Sequence, residues 1–146
     1  MADVQAVNYA LTYGATPNGK TASNLNGGRM RVLYDSYTTA ADVAGTDILI
    51  GKFGDGVVIH DWVVNSADLG TAVTAQLATR DTDTAATENT FSQAIDVATA
   101  ASVNRPVAAD LAELPLSVDE GTEVIVKIAG GTATGLIKVQ IFYSIS

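Results

Sequence analysis

The sequence contains no cysteine, little charge and few aromatic rings. Of its 146 residues, 16% are charged, and the aromatic residues are five tyrosines, three phenylalanines and one tryptophan. Without cysteine, the chain can form neither a disulfide framework nor a thiolate metal site. A surface that stacks sugars or single-stranded nucleic acid uses several exposed rings, which this composition does not favour.

Positive charge is also scarce. Eight basic residues accompany sixteen acidic ones, so the formal net charge is −8. The basic residues are scattered along the chain, at positions 20, 29, 31, 52, 80, 105, 127 and 138. Binding to a nucleic-acid backbone or to an anionic membrane needs clustered lysine and arginine. We therefore expect neither nucleic acid nor a membrane as a partner.

Long hydrophobic runs are missing as well. No apolar stretch approaches the length of a membrane span, and the start of the chain, Met1–Gln5, lacks the basic region and apolar core of a signal peptide. We therefore expect the chain to stay in an aqueous compartment. What is abundant is alanine, valine, threonine and glycine, which suit strands and turns better than long helices. Low charge with many small residues is typical of a protein that packs against partners.

The length predicts one domain, preceded by an arm over residues 1–28. Within the arm, residues 14–28 are rich in glycine, proline and asparagine and are predicted to be irregular. The domain is predicted to cover residues 29–146. One short strand of the arm is indicated by four apolar residues that alternate with polar or small ones: Val7, Tyr9, Leu11 and Tyr13.

Alternating hydrophobicity predicts strand after strand in the domain. The strand over 57–65 is apolar on both faces, which predicts a central position in its sheet. The last two strands, joined by the loop Gly130–Gly135, are predicted to form a hairpin. The predicted strands cover residues 29–39, 46–53, 57–65, 72–80, 123–129 and 136–145.

The region between residues 81 and 122 is less regular. Phe91, Ala94, Ile95 and Ala98 have helical spacing and predict one short helix, and a further helical turn is predicted over 111–114. Many short strands without a βαβ rhythm predict an all-β fold. Our preferred architecture is a jelly-roll-like antiparallel β-sandwich with an extended N-terminal arm and one short helix.

One segment matches the pattern of a phosphate-binding loop. Residues Gly14–Thr21 read G-A-T-P-N-G-K-T, which fits G-x-x-x-x-G-K-[ST]. Such a loop needs a helix directly after it, because the helix N-terminus supplies amide donors to the phosphates. Residues 22–28, A-S-N-L-N-G-G, are a poor helix sequence. We therefore interpret the match as part of the arm, and predict no nucleotide site.

Two other sets of residues are of the types used in catalysis and metal binding. His60 is the single histidine and precedes Asp61 in a predicted strand, where adjacent side chains point to opposite faces and form no dyad. Asp81, Asp83 and Glu88 offer oxygen ligands for calcium, but their spacing does not match an EF-hand loop. The predictions are therefore no catalytic residues, no cofactor-binding residues and no metal ligands.

Four stretches follow one another in a recognisable order: 28–35 (GRMRVLYD), 47–59 (DILIGKFGDGVVI), 66–74 (SADLGTAVT) and 137–143 (IKVQIFY). This order is similar to that of small virion structural proteins of tailed phages, the head decoration or capsid cement proteins. The similarity covers most of residues 28–146 as a pattern of strands and turns. The acidic stretch near 81–122 fits the family poorly.

This resemblance implies a non-enzymatic jelly roll that binds the outside of an icosahedral phage head. Its expected partners are the major capsid protein and further copies of itself, often as a homotrimer, and its expected location is the virion, assembled in the host cytoplasm. Such a protein bridges capsid subunits and stiffens the shell.

Three alternatives remain open on the sequence. A carbohydrate-binding β-sandwich module would expose aromatic rings, and a small jelly-roll hydrolase would use His60 with nearby carboxylates, although metal-dependent enzymes of that kind usually carry several histidines. Another virion component, from a tail or fibre, would share the composition of a head protein.

Overall fold

Eleven strands and one 3-10 turn make up the part of the chain that this computed structural model describes, which is residues 3–5, 30–98 and 102–145. The 3-10 turn covers Asp110–Ala112. The strands are β1 (Asp3–Gln5), β2 (Arg31–Asp42), β3 (Asp47–Phe53), β4 (Val57–Ser66), β5 (Thr74–Asp81), β6 (Thr87–Thr90), β7 (Ile95–Asp96), β8 (Ser102–Asn104), β9 (Leu116–Val118), β10 (Thr122–Ala129) and β11 (Ala133–Ile145).

The strands form two sheets. Sheet I has the order β1-β3-β10-β5-β6, with β7 also paired to β5. Sheet II has the order β2-β11-β4-β8, with β9 also paired to β4. All pairs are antiparallel except β1 with β3. The predicted antiparallel β-sandwich is confirmed.

The pairing is nested in the manner of a jelly roll. The first long strand, β2, pairs with the last, β11, and the next pair inward is β3 with β10. Inside these lie β4 with β8 and β9, and finally β5 with β6. Successive pairs alternate between the two sheets, so the chain winds as a folded-over ribbon.

The core lies between the sheets and is built by inward-facing aliphatic residues with Trp62 among them. Within β4, Val57 and Ile59 face the core, and after a β-bulge at His60 the inward positions become Trp62 and Val64. The bulge adds one residue and so reverses the alternation of the strand. The predicted central position of this strand is confirmed, because β11 lies on one side of it and β8 and β9 on the other.

The predicted hairpin between the last two strands is wrong. β10 belongs to sheet I and β11 to sheet II, so the loop from Gly130 carries the chain across the sandwich. Gly130 has a φ of +81°, and a Cβ there would lie 2.0 Å from the carbonyl oxygen of Ala72. Sequence alternation identifies each strand, but the sheet to which it belongs depends on such long-range contacts.

The helix predicted from the spacing of Phe91 to Ala98 is also wrong. That segment contains the short strand β7, and its backbone bonds to neighbouring strands rather than to itself: Phe91 N–H donates to Leu77, and Val97 N–H donates to Val73. Phe91 and Ile95 are buried as members of the main core. The helical turn predicted over 111–114 overlaps the 3-10 turn at Asp110–Ala112.

Little of the predicted arm lies within the described residues. Its first residues form β1, whereas the predicted strand over residues 7–13 and the phosphate-loop motif over Gly14–Thr21 lie outside them. The division into an arm over 1–28 and a domain over 29–146 therefore stays a prediction. No helix in the described part of the chain is long and apolar enough to cross a membrane.

Candidate functional site

His60 and Asp61 are not joined in the structure. His60 Nε2 lies 2.7 Å from Ser144 Oγ, a contact between β4 and β11. Asp61 Oδ1 instead accepts a hydrogen bond from the backbone N–H of Trp62, at 2.8 Å. The partner Ser144 is 84 positions away from His60, and only the pairing of β4 with β11 reveals it.

The candidate calcium ligand Asp81 shapes a turn. Its Oδ1 accepts hydrogen bonds from the backbone N–H groups of Asp83 and Thr84, at 2.8 and 2.9 Å, and from the Thr84 hydroxyl. These bonds stabilise the carboxylate and lower the pKa of Asp81 below its usual value, the bond from Thr84 contributing most. Within the described residues, no three carboxylate or imidazole side chains come together as a metal-binding group.

The most concentrated polar structure is one that the sequence did not indicate, a cluster around Arg80 on the outer face of sheet I. Arg80 Nε donates to Glu123 at 2.7 Å, and its terminal nitrogens Nη1 and Nη2 each lie 3.1 Å from an oxygen of Asp3. Nη1 is also 3.5 Å from Asp47. One guanidinium on β5 thus joins carboxylates from β1, β3 and β10. We call these four residues the Arg80 cluster.

In this cluster, burial and nearby charges shift the pKa values in opposite directions. Burial alone would lower the pKa of Arg80, but the hydrogen bonds that it donates to Asp3 and Glu123 raise the pKa above its ordinary range, so the guanidinium stays charged. Burial raises the pKa of Asp47, and the nearby charges of Lys127 and Arg80 only partly offset this effect. Each carboxylate of the cluster forms an ion pair with Arg80. The cluster therefore links β1, β3 and β10 to β5.

Exposed apolar side chains form two groups, one at the β2 edge of sheet II and one in and after β8. The first group is Met30, Val32 and Tyr34, which we call the β2-edge patch. The second group is Val103 of the edge strand β8, with Val107 and Leu111 in the segment that follows it, and we call it the β8-edge patch.

Asp110 supports the second patch from below. It is buried, and its carboxylate accepts hydrogen bonds from the backbone N–H groups of Gln93 and Val107, at 2.6 and 2.8 Å. These two hydrogen bonds therefore attach the segment that carries Val107 and Leu111 to the backbone next to Gln93. In the β2-edge patch, the alternation of apolar residues identifies one face of a strand, but alternation alone does not tell whether that face is covered. No sequence pattern indicates the second patch.

Aromatic side chains are almost all inside or half-buried. In the described residues, Tyr34 is the one aromatic side chain that is exposed, while Trp62 and Phe91 are fully buried. Phe53 packs against Tyr143 with ring centroids 4.8 Å apart and ring planes tilted by 50°. A flat platform of several rings, as a sugar-binding surface uses, is not formed by these residues.

No protein-family model matches this chain, and no curated protein matches it. Two solved structures are similar in fold. A chain of the capsid of Ralstonia phage GP4 superposes with a TM-score of 0.70 at 20% identity, over 99% of both chains. A chain of the cyanophage Pam1 capsid asymmetric unit superposes with a TM-score of 0.61 at 22% identity, over 90% of this chain and 96% of that one. The protein thus shares its fold with chains found in phage capsids.

Proposed function

We propose that the protein is a structural component of a phage virion that decorates the outer surface of the head, binds the major capsid protein and stabilises the shell. The observation that carries this proposal is the end-to-end similarity to a chain of a phage capsid, with 99% of both chains covered. Because almost every residue of each chain aligns with the other, neither chain contains a large additional segment. On this proposal, the protein works by binding and is not an enzyme.

Self-association is part of the proposal, and the two edge patches of sheet II support it. A contact between the β2-edge patch of one copy and the β8-edge patch of the next is heterologous, since the two surfaces differ. Heterologous contacts close into rings when the rotation between neighbours allows it. A homotrimer is the ring that we propose, with the two apolar patches meeting at each junction.

The proposal is tested by adding the purified protein to heads that lack it. The heads would be assembled from the major capsid protein of the same phage. We expect saturable co-sedimentation and a higher temperature of head disruption. Heads that neither bind the protein nor gain stability would contradict the decoration role, and tail or fibre assemblies would be tested next by the same assay.

The oligomeric state has its own measurement. Light scattering after size exclusion, over a dilution series, should give three times the 15.0 kDa chain mass. A monomer at every concentration would contradict the homotrimer while leaving head binding to be decided by co-sedimentation.

A further inference from the structure

The N-terminal strand β1 is attached to the sandwich at one edge only. Asp3, Val4 and Gln5 pair in parallel with Asp47, Ile48 and Leu49 of β3, and β1 ends the order of sheet I. Three residue pairs with one neighbour make a short ladder. Strands this short depend on side-chain contacts for much of their stability.

Asp3 provides the strongest of these contacts. Both of its carboxylate oxygens lie 3.1 Å from terminal nitrogens of Arg80, a two-pronged pairing that is specific in geometry as well as charge. Its side chain remains 43% exposed, whereas that of Arg80 is 5% exposed. Arg80 is thus a buried part of the sandwich, whereas Asp3 belongs to the strand that docks against it.

The receiving site does not depend on Asp3 for its own integrity. Glu123 holds Arg80 Nε at 2.7 Å, and Asp47 lies 3.5 Å from Nη1. If β1 departed, Arg80 would retain two carboxylate partners, so no buried charge would be left unpaired. The site is therefore complete before the strand docks.

Chain length permits a strand from another molecule to use the same site. Twenty-four residues separate Gln5 from Met30, and at about 3.3 Å per residue they span up to ~80 Å when extended. A domain of this size has a radius of gyration of about 15 Å. The N-terminal strand of one copy can therefore reach the β3 edge of an adjacent one.

We infer that the edge of β3 that pairs with β1, together with Arg80, is a docking groove for the N-terminal strand of a second copy of this chain, with Asp3 as the group it recognises. This inference rests on the proposed shell function, because neighbours fixed side by side give a strand in trans an effective concentration that rivals the one in cis. The contacts are identical in both cases, so exchange between copies changes little in energy.

The exchange is tested with the full chain by engineered cysteines, for which the absence of native cysteine is convenient. Gln5 and Leu49 are register partners on adjacent strands, which lie about 4.8 Å apart, a separation that a disulfide bridges. When the Q5C variant is mixed with the L49C variant, a disulfide between positions 5 and 49 can form only between two molecules. We expect this mixed dimer after oxidation of concentrated protein, reduced at least about tenfold when the Q5C partner also carries D3N.

The double variant Q5C/L49C is the matched control. If it closes its bond within one molecule while the mixture of single variants yields no dimer, the strand docks only in cis and the inference is overturned. The yield does not require heads or a trimer, so it is independent of the tests of the proposed function.

A second measurement covers the case in which the cysteine pair does not oxidise. A fluorescein-labelled peptide of residues 1–6 is titrated into the full-length D3N variant, whose own strand is weakened. We expect anisotropy to rise with the peptide that carries aspartate, with at least about tenfold weaker binding of the corresponding asparagine peptide. No binding, or equal binding of both peptides, would overturn the inference.

Discussion

Arg80 Nε donates a hydrogen bond to Glu123 Oε2 over 2.7 Å, and both side chains are almost wholly buried on adjacent strands of sheet I. They lie on the face that points away from the main core, next to the small apolar cluster of Leu49, Ala78 and Ile125. On its outer face this sheet is held together by ion pairs around Arg80, whereas on its inner face aliphatic side chains pack into the main core.

Replacing Arg80 by methionine should destabilise the protein by about 3–5 kcal/mol, because the buried Glu123 and Asp47 would lose their buried cation and retain the longer contacts with Lys52 and Lys127, at 3.8 and 3.9 Å. The measurement is the free energy of unfolding in urea. The control is K52M, since Lys52 lies 3.8 Å from Glu123 but is 36% exposed, and such a pair contributes about 0–1 kcal/mol. Equal losses in the two variants would contradict a special role for Arg80.

Gly130 should tolerate no side chain. It has a φ of +81°, and an added Cβ would lie 2.0 Å from Ala72 O; Gly45 has a φ of +93° with nothing within 4 Å. The G45A variant should lose about 1–2 kcal/mol through the left-handed backbone alone. The G130A variant should lose a further ~1–3 kcal/mol through the clash. Equal urea midpoints would show that the crossover loop moves freely away from Ala72.

The lowered pKa of Asp81 predicts a loss of stability in acid. Because the folded-state pKa is below the usual 3.8, the contribution of this carboxylate is complete above that value and disappears as the pH falls through the folded pKa. The D81N variant should be less stable than the wild type at pH 7, and the gap should close below pH 3.8. The control is D83N, since Asp83 takes part through its backbone N–H. A gap that stays constant over pH 2.5–7 would refute the electrostatic reading.

Much of the fold is predictable from the sequence, because each long strand alternates or is apolar on both faces. The strand over Val57–Ser66 is the clearest example. What the sequence does not reveal is which strands share a sheet, since β10 and β11 adjoin in sequence but lie in different sheets. The Arg80 cluster was missed for the same reason: its members Asp3 and Glu123 stand 120 positions apart, and no local pattern links them.

Single charges in either edge patch should break the proposed trimer. We expect V32D in one patch and L111D in the other to give monomers by light scattering, with unchanged melting temperatures, because both side chains are exposed. The control is V43D, since Val43 is 58% exposed but lies in neither patch. A trimer that survives both substitutions would place the subunit contact elsewhere.

Mixing the two patch variants distinguishes the kind of contact. In a heterologous interface, the intact β8-edge patch of V32D meets the intact β2-edge patch of L111D, so the mixture should form a dimer that neither variant forms alone. If instead like patches meet each other, only one of the two substitutions should disrupt assembly, and mixing should restore nothing.

Trp62 should matter through its size rather than through its indole nitrogen. The side chain is 1% exposed between the sheets, and no group in the described part of the chain accepts a hydrogen bond from Nε1. Removing the ring in W62A should therefore cost about 3–5 kcal/mol. In W62F most of the volume remains and no hydrogen bond is lost, so the cost should be much smaller. Because Trp62 is the single tryptophan, unfolding must be followed by circular dichroism rather than by its fluorescence. If W62F were as unstable as W62A, the shape of the indole ring, and not simply aromatic bulk, would be what the core between β4 and sheet I requires.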